Sequence, residues 1–88
     1  MANTDSALLL IDLQNDYFEE GAFPLWQANK TKDVIVDLVS KAKEQGIRPI
    51  HIQHVADPEM GLSPFFNHGT KGVKIHEGVF AAAPEAPV

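Results

Sequence analysis

Ala7 to Ile11 is an unbroken apolar run, ALLLI, and it ends on a carboxylate, Asp12. A run of strand length without polar alternation predicts a strand covered on both faces, as in a parallel sheet. Parallel strands cannot be joined by a tight hairpin and need a long crossover, usually helical, so this feature points to an α/β architecture.

The following residues supply such a crossover. Asp12 to Asn29 is a long connection containing Gly21 and Pro24 and carrying Tyr17, Phe18, Phe23, Leu25 and Trp26. Its length and aromatic content predict a functional or packed segment, because a plain link would be shorter. Thr31 to Gln45 reads as a helix, with Val34, Ile35, Leu38, Val39 and Ala42 on one face. Thr31 is the expected N-cap, with Asp33 in the first turn. Lys41 and Lys43 near the end and Gly46 just past it are the matching stop signals. Asp37 and Lys41 stand at i,i+4 and should pair.

Arg48 to Val55, RPIHIQHV, predicts the second strand. Ile50, Ile52 and His54 should face one way, and His51, Gln53 and Val55 the other. Strand, helix and strand in this order predict a right-handed βαβ unit. Asp57 to Gly72 is a loop rich in Pro, Gly and Asn. Val73 to His76 is a candidate short extended piece, and the Ala- and Pro-rich stretch Glu77 to Val88 has no clear stop. Two parallel strands and one helix leave the far sheet face and both edges open. The expectation is therefore that residues 1–88 are the N-terminal part of a larger α/β domain.

Charge and composition narrow the function. The net charge of -5 has both signs dispersed, which argues against nucleic acid as a partner. The chain has no cysteine, so it contains no disulfide, thiolate metal site or cysteine nucleophile. No basic segment precedes the first apolar run, which is too short to span a membrane. A cytoplasmic protein without membrane contact is the expectation.

Asp12 is the leading candidate for chemistry. Ligands of open α/β sheets bind beyond the carboxyl ends of the strands, where Asp12 stands. A carboxylate at an apolar margin suits general acid or base work. It can equally end a strand by accepting backbone N–H groups. Asp12 and Asp16 together could hold Mg²⁺, but Gln14 occupies the nearest partner position, and Asp16 reads better as a solvated loop residue. LQNDYF lacks the glycines of a dinucleotide site. The Gly69 to Gly72 stretch, GTKG, reads as a turn. His51, His54, His68 and His76 match no zinc spacing, and His51 and His54 fall on opposite strand faces. His54 can still line a pocket beside Asp12. Phe18, Phe23 and Trp26 suit a pocket wall, a subunit contact or the core.

Taken in order, ALLLIDLQNDYF, GAFPL, PIHIQHV and the F-x-x-G-T-x-G-x-x-I-H stretch from Phe66 to His76 resemble the N-terminal part of isochorismatase-like hydrolases. The resemblance covers nearly the whole chain; the I-D-x-Q strand end followed by an aromatic is its most specific part. It implies a three-layer, Rossmann-like parallel-sheet fold, represented here by its first βαβ unit. It also implies hydrolysis of small amide, carbamoyl or related C–N bonds by an Asp, Lys and Cys triad. Asp12 corresponds to the base that activates the cysteine, and Phe18 to an aromatic near the substrate.

Two departures accompany the resemblance. Where nicotinamidases of this superfamily carry an Asp-x-His metal motif, this chain has Gln53, His54, Val55 and Ala56. No cofactor or metal is therefore expected. The family lysine and cysteine fall beyond residue 88, and Lys71 and Lys74 precede the expected lysine. Isochorismatases proper lack the cysteine and hydrolyse an enol ether with acid catalysis by Asp. The expected whole is a homo-oligomeric enzyme for a small molecule, and the 88-residue chain alone is expected to be inactive. Two alternatives from other classes stand beside it: a short binding or assembly module, and a phosphate-handling domain using Asp12 and Mg²⁺.

Overall fold

A computed structural model describes residues 5–88, so the first four residues of the polar lead-in lie outside it. The elements run β1 (Ala7–Ile11), α1 (Ala28–Glu44), β2 (Arg48–Ile52) and α2 (Glu77–Ala82). Single 3-10 turns occur at Asn15–Tyr17 and Pro58–Met60. β1 and β2 pair in parallel with Leu10 opposite His51 and Ile11 opposite Ile52, which is the crossover that the sequence predicts.

Strand alternation separates the two sheet faces. Leu10 and His51 are buried on the helix side, where Leu10 packs with Val39 of α1 and with Val79 and Ala83 of α2 and its end. Full burial of a valine side chain is worth about 1.5–3 kcal/mol, so Val39 and Val79 are the main apolar anchors of the two helices. On the opposite face Leu9, Ile11 and Ile52 remain 52%, 56% and 40% exposed. The second strand edge is not fully open, however, because the His51 N–H donates to the Pro87 carbonyl at 2.9 Å.

α1 starts a turn earlier than the apolar stripe predicts. Gln27 is its N-cap, in the left-handed region at φ 50, with no side-chain capping bond. Thr31 is inside the helix, its N–H donating to Gln27 O at 3.0 Å. Asp33 is accordingly beyond the first turn, where no acidic residue stands. The added turn contains Ala28, Asn29 and Lys30, which contribute nothing to an apolar period. The other end conforms: Gly46 has φ 75, Ile47 N–H donates to Ala42 O at 2.9 Å, and Lys41 pairs with Asp37 at 3.0 Å.

β2 stops at Ile52, three residues short of the expected Val55. The backbone of His54 is instead bonded by the Gln14 side chain, and Ala56 bridges to Asn67. Of Val73 to His76, only Ile75 pairs as extended chain, antiparallel to Gln14. α2 is an element that the Ala- and Pro-rich composition did not indicate. It begins because the His76 Nδ1 accepts the Gly78 N–H at 3.0 Å, giving the helix an unusual cap.

Candidate active site

Asp12 continues the sheet ladder by one bond, donating its N–H to Ile52 O at 2.9 Å. It then leaves the strand in the left-handed region at φ 58. Few residues other than glycine sit there, and Asp and Asn are the best tolerated of those. The turn ends β1 abruptly at the carboxyl edge of the sheet, with the half-buried Asp12 at the corner.

Beyond that corner the chain passes between two other segments. On one side, Gln14 is fully buried and its carboxamide bonds the His54 backbone twice: Nε2 donates to His54 O and Oε1 accepts from His54 N–H, both at 2.8 Å. On the other side, Leu13 O accepts from His76 N–H at 2.8 Å, Asn15 N–H donates to Lys74 O at 2.9 Å, and Asp16 N–H donates to Gly72 O at 2.9 Å. Gln14 Nε2 also donates to Val73 O, joining all three segments.

Asp16 is not a solvated loop residue. It is 6% exposed, and its carboxylate accepts Ala22 N–H at 3.0 Å on Oδ1 and Phe66 N–H at 2.6 Å on Oδ2. A buried carboxylate needs such donors to offset its lost hydration. Gly72 provides the space: a Cβ there would lie 1.9 Å from Asp16 Oδ1. The Gly69 to Gly72 stretch thus turns the chain, with Gly69 at φ 78, and also seats the carboxylate.

The other candidates divide between two places. His54 is exposed, and its ring lies 5.4 Å from Phe66, the buried member of a cluster with Tyr17 and Phe65. Its backbone adjoins the post-β1 segment through Gln14, so Asp12 and His54 share the carboxyl edge of the sheet. Phe18 is buried with its ring 4.2 Å from His76. It lines an open cleft of about 450 Å³ with Asn15, Glu19, Lys71, His76 and Glu77, a cleft that neither Asp12 nor His54 lines. Phe23 is half exposed beside Tyr17 and Phe65, and Trp26 is 85% exposed, so Trp26 is not part of the core. Burial, reinforced by the Lys32 cation, holds His76 below the usual histidine value and favours its neutral ring.

Gln14 and Asp16 organise the site; residue type alone points to neither of these roles, although Gln14 belongs to the I-D-x-Q strand end. The available signal was positional: Gln14, Asp16 and Phe18 are at alternate positions after the apolar run, and all three are buried.

Comparison with known proteins places this geometry in context. The sequence model of the Isochorismatase domain matches residues 6–88. An uncharacterised isochorismatase family protein, YddQ of Bacillus subtilis (strain 168), is 39% identical over 74 residues, which is 84% of this chain. The match covers 40% of the Bacillus protein's length. An isochorismatase-type structure from Oleispira antarctica superposes with a TM-score of 0.79 at 36% identity, covering 99% of this chain and 47% of that one. An isochorismatase family protein from Desulfovibrio vulgaris gives 0.76 at 26% identity, covering 97% and 52%.

Proposed function

This chain belongs to the isochorismatase family, and from that membership we propose that it supplies the base and part of the substrate site of a hydrolase acting on small amide or carbamoyl C–N bonds. The carrying observation is Asp12, held at the carboxyl edge of the parallel pair by its bond to Ile52 and by its left-handed turn. A carboxylate there can take a proton from a nucleophile approaching over the strand ends.

In this reading Asp12 is the base and His54 contacts the substrate from the same sheet edge, whereas Phe18 lines the separate cleft beside His76. The nucleophile and its lysine come from sequence outside these 88 residues, because the chain contains no cysteine. The chain alone is therefore inactive, and the working enzyme is a homo-oligomer. The residues at the Asp-x-His position, Gln53, His54 and Val55, support a mechanism without a bound metal.

The test compares the pure 88-residue chain with an intact isochorismatase domain that carries this sequence, each assayed on a panel of amides and carbamoyl compounds. The chain alone should give no turnover. The intact domain should turn over a member of the panel and lose roughly 10²–10⁴-fold in kcat with Asp12→Asn. An Asp12→Asn domain of unchanged kcat rules out the assignment of the base. Turnover by the short chain that Asp12→Asn abolishes rules out the claim that the chain alone is inactive.

A further inference from the structure

Phe66 is 1% exposed and stands in the left-handed region at φ 61, where a bulky side chain is rare. Two bonds hold its backbone there. Its N–H donates to Asp16 Oδ2 at 2.6 Å, and its carbonyl accepts from Ala56 N–H at 2.9 Å. With both groups fixed, the left-handed turn directs the ring inward, 4.8 Å from the Tyr17 ring and 5.4 Å from the His54 ring. A residue in such a conformation persists only where its neighbours hold it, and residues of this kind gather at functional sites.

His54 is fixed at two levels as a result. Gln14 clamps its backbone, and the Phe66 ring backs its exposed imidazole. From this relay of contacts we propose that Asp16 is a positioning residue of the candidate active site: through Phe66 it sets the aromatic backing that holds the His54 ring toward the substrate. The proposal rests on the reading of Asp12 as the base and His54 as a substrate contact.

The chemistry of Asp16 suits this role. Ala22 and Phe66 each bring it a backbone N–H, one per carboxylate oxygen. Two donors need two acceptors, whereas an asparagine has one oxygen and would turn its NH₂ group against one of them. Among the described residues no cation pairs with Asp16, so these N–H groups take the place of its lost water. A bond to a charged acceptor is roughly twice as strong as a neutral one, which is what a residue in a disfavoured conformation requires.

Asp12 stands outside this relay. Its own ladder bond to Ile52 O and its own left-handed turn hold it. Loss of the Asp16–Phe66 bond therefore frees the His54 ring and leaves the base in place. Substrate binding weakens while the chemical step proceeds, so KM rises at nearly constant kcat. Partial unfolding does the reverse, because it lowers the amount of active enzyme and leaves KM alone.

The experiment has two arms. In the ¹³C,¹⁵N-labelled 88-residue chain, NMR couplings and shifts report the Phe66 φ, and nuclear Overhauser effects report the contact between the His54 and Phe66 rings. The wild type should show a positive φ and the ring contact, and Asp16→Asn should lose both. The second arm uses an intact isochorismatase domain that carries this sequence, assayed on the amide or carbamoyl compound of the panel that it hydrolyses. Asp16→Asn should raise KM roughly tenfold and keep kcat within about threefold. In a His54→Ala background the same substitution should change KM by less than about twofold, because its effect runs through that ring. Phe66→Leu keeps the carboxylate bonds and removes the ring; it should raise KM as well, and it serves where Asp16→Asn folds poorly.

The proposal is overturned by a wild-type Phe66 of negative φ or by a His54–Phe66 contact that survives Asp16→Asn. It is also overturned by an Asp16→Asn KM within about twofold of the wild type, or by an equal rise in KM with and without His54. Failure of the underlying reading shows separately, as unchanged kcat in Asp12→Asn or unchanged KM in His54→Ala.

Discussion

The Gln14 carboxamide bonds both backbone groups of His54, accepting from its N–H and donating to its carbonyl, each at 2.8 Å. A primary amide presents donor and acceptor side by side, as a backbone peptide group does. Gln14 thus acts as one rung of a sheet at the point where β1 and β2 have both ended, and it leaves Asp12 and His54 on a common edge.

Replacing Gln14 should therefore damage the fold as well as the site. Gln14→Leu keeps the approximate volume but strips the partners from His54 N–H and His54 O, while Val73 O keeps the bond it accepts from Gln53 Nε2. Buried backbone groups left bare cost about 1–3 kcal/mol each, with partial relief where the loop admits water, so a loss of about 2–5 kcal/mol is expected. Gln14→Glu removes both donors and sets an acceptor against two carbonyls, and at neutral pH it should be no better than Leu. Urea unfolding of the three chains measures this; a loss below about 1 kcal/mol for both variants shows that the clamp is dispensable.

These bonds also mark where sequence reasoning reached and where it stopped. β1, the body of α1 and β2 were legible because their signals are local: an apolar run, a helical stripe and a glycine stop. Asp12 was legible because it directly follows the run. Gln14 and Asp16 were not, since their partners lie 40 and 50 residues away at His54 and Phe66, and polar residues in a loop read as solvated. α2 was missed for a related reason. It is six residues long, and its start depends on a histidine ring that only folding brings into capping position.

Gly72 should tolerate no side chain. The Cβ of alanine would overlap the Asp16 carboxylate, and moving that carboxylate would break its bonds to Ala22 and Phe66. Overpacking alone costs about 1–3 kcal/mol, and the lost bonds to a charged acceptor add to it. Gly72→Ala should thus be destabilised by about 3 kcal/mol or more, whereas Gly69→Ala meets no atom and suffers only the strain of its positive φ, about 1–2 kcal/mol. Equal losses at the two glycines would show that contact with Asp16 is not what Gly72 provides.

Asp12 offers a way to separate conformation from chemistry. At φ 58 a glycine is unstrained and an alanine is not. Asp12→Gly should exceed Asp12→Ala in stability by about 1 kcal/mol, although glycine is ordinarily the poorer residue by its unfolded-state entropy. Both should abolish turnover in the intact domain if the carboxylate is the base. The stabilities come from denaturant melts. An alanine variant at least as stable as the glycine one is incompatible with a left-handed Asp12.

His76 should make stability fall on acidification. Its Nδ1 accepts the Gly78 N–H at 3.0 Å, which requires that nitrogen to be unprotonated. Burial, and then the Lys32 cation, lower its folded value below the ordinary 6.5. A base whose folded value is depressed contributes stability above its unfolded value and loses it as pH falls through the folded one. The window therefore opens near pH 6.5 and extends downward, and the quantity at stake is an N-cap worth about 1 kcal/mol. His76→Asn retains a capping acceptor that does not titrate and should flatten this part of the pH profile. His76→Ala should be destabilised at every pH. Unfolding free energies of the parent and both His76 variants measured from about pH 8 to pH 5 isolate the effect. A His76→Asn profile as steep as that of the parent would remove His76 as the source.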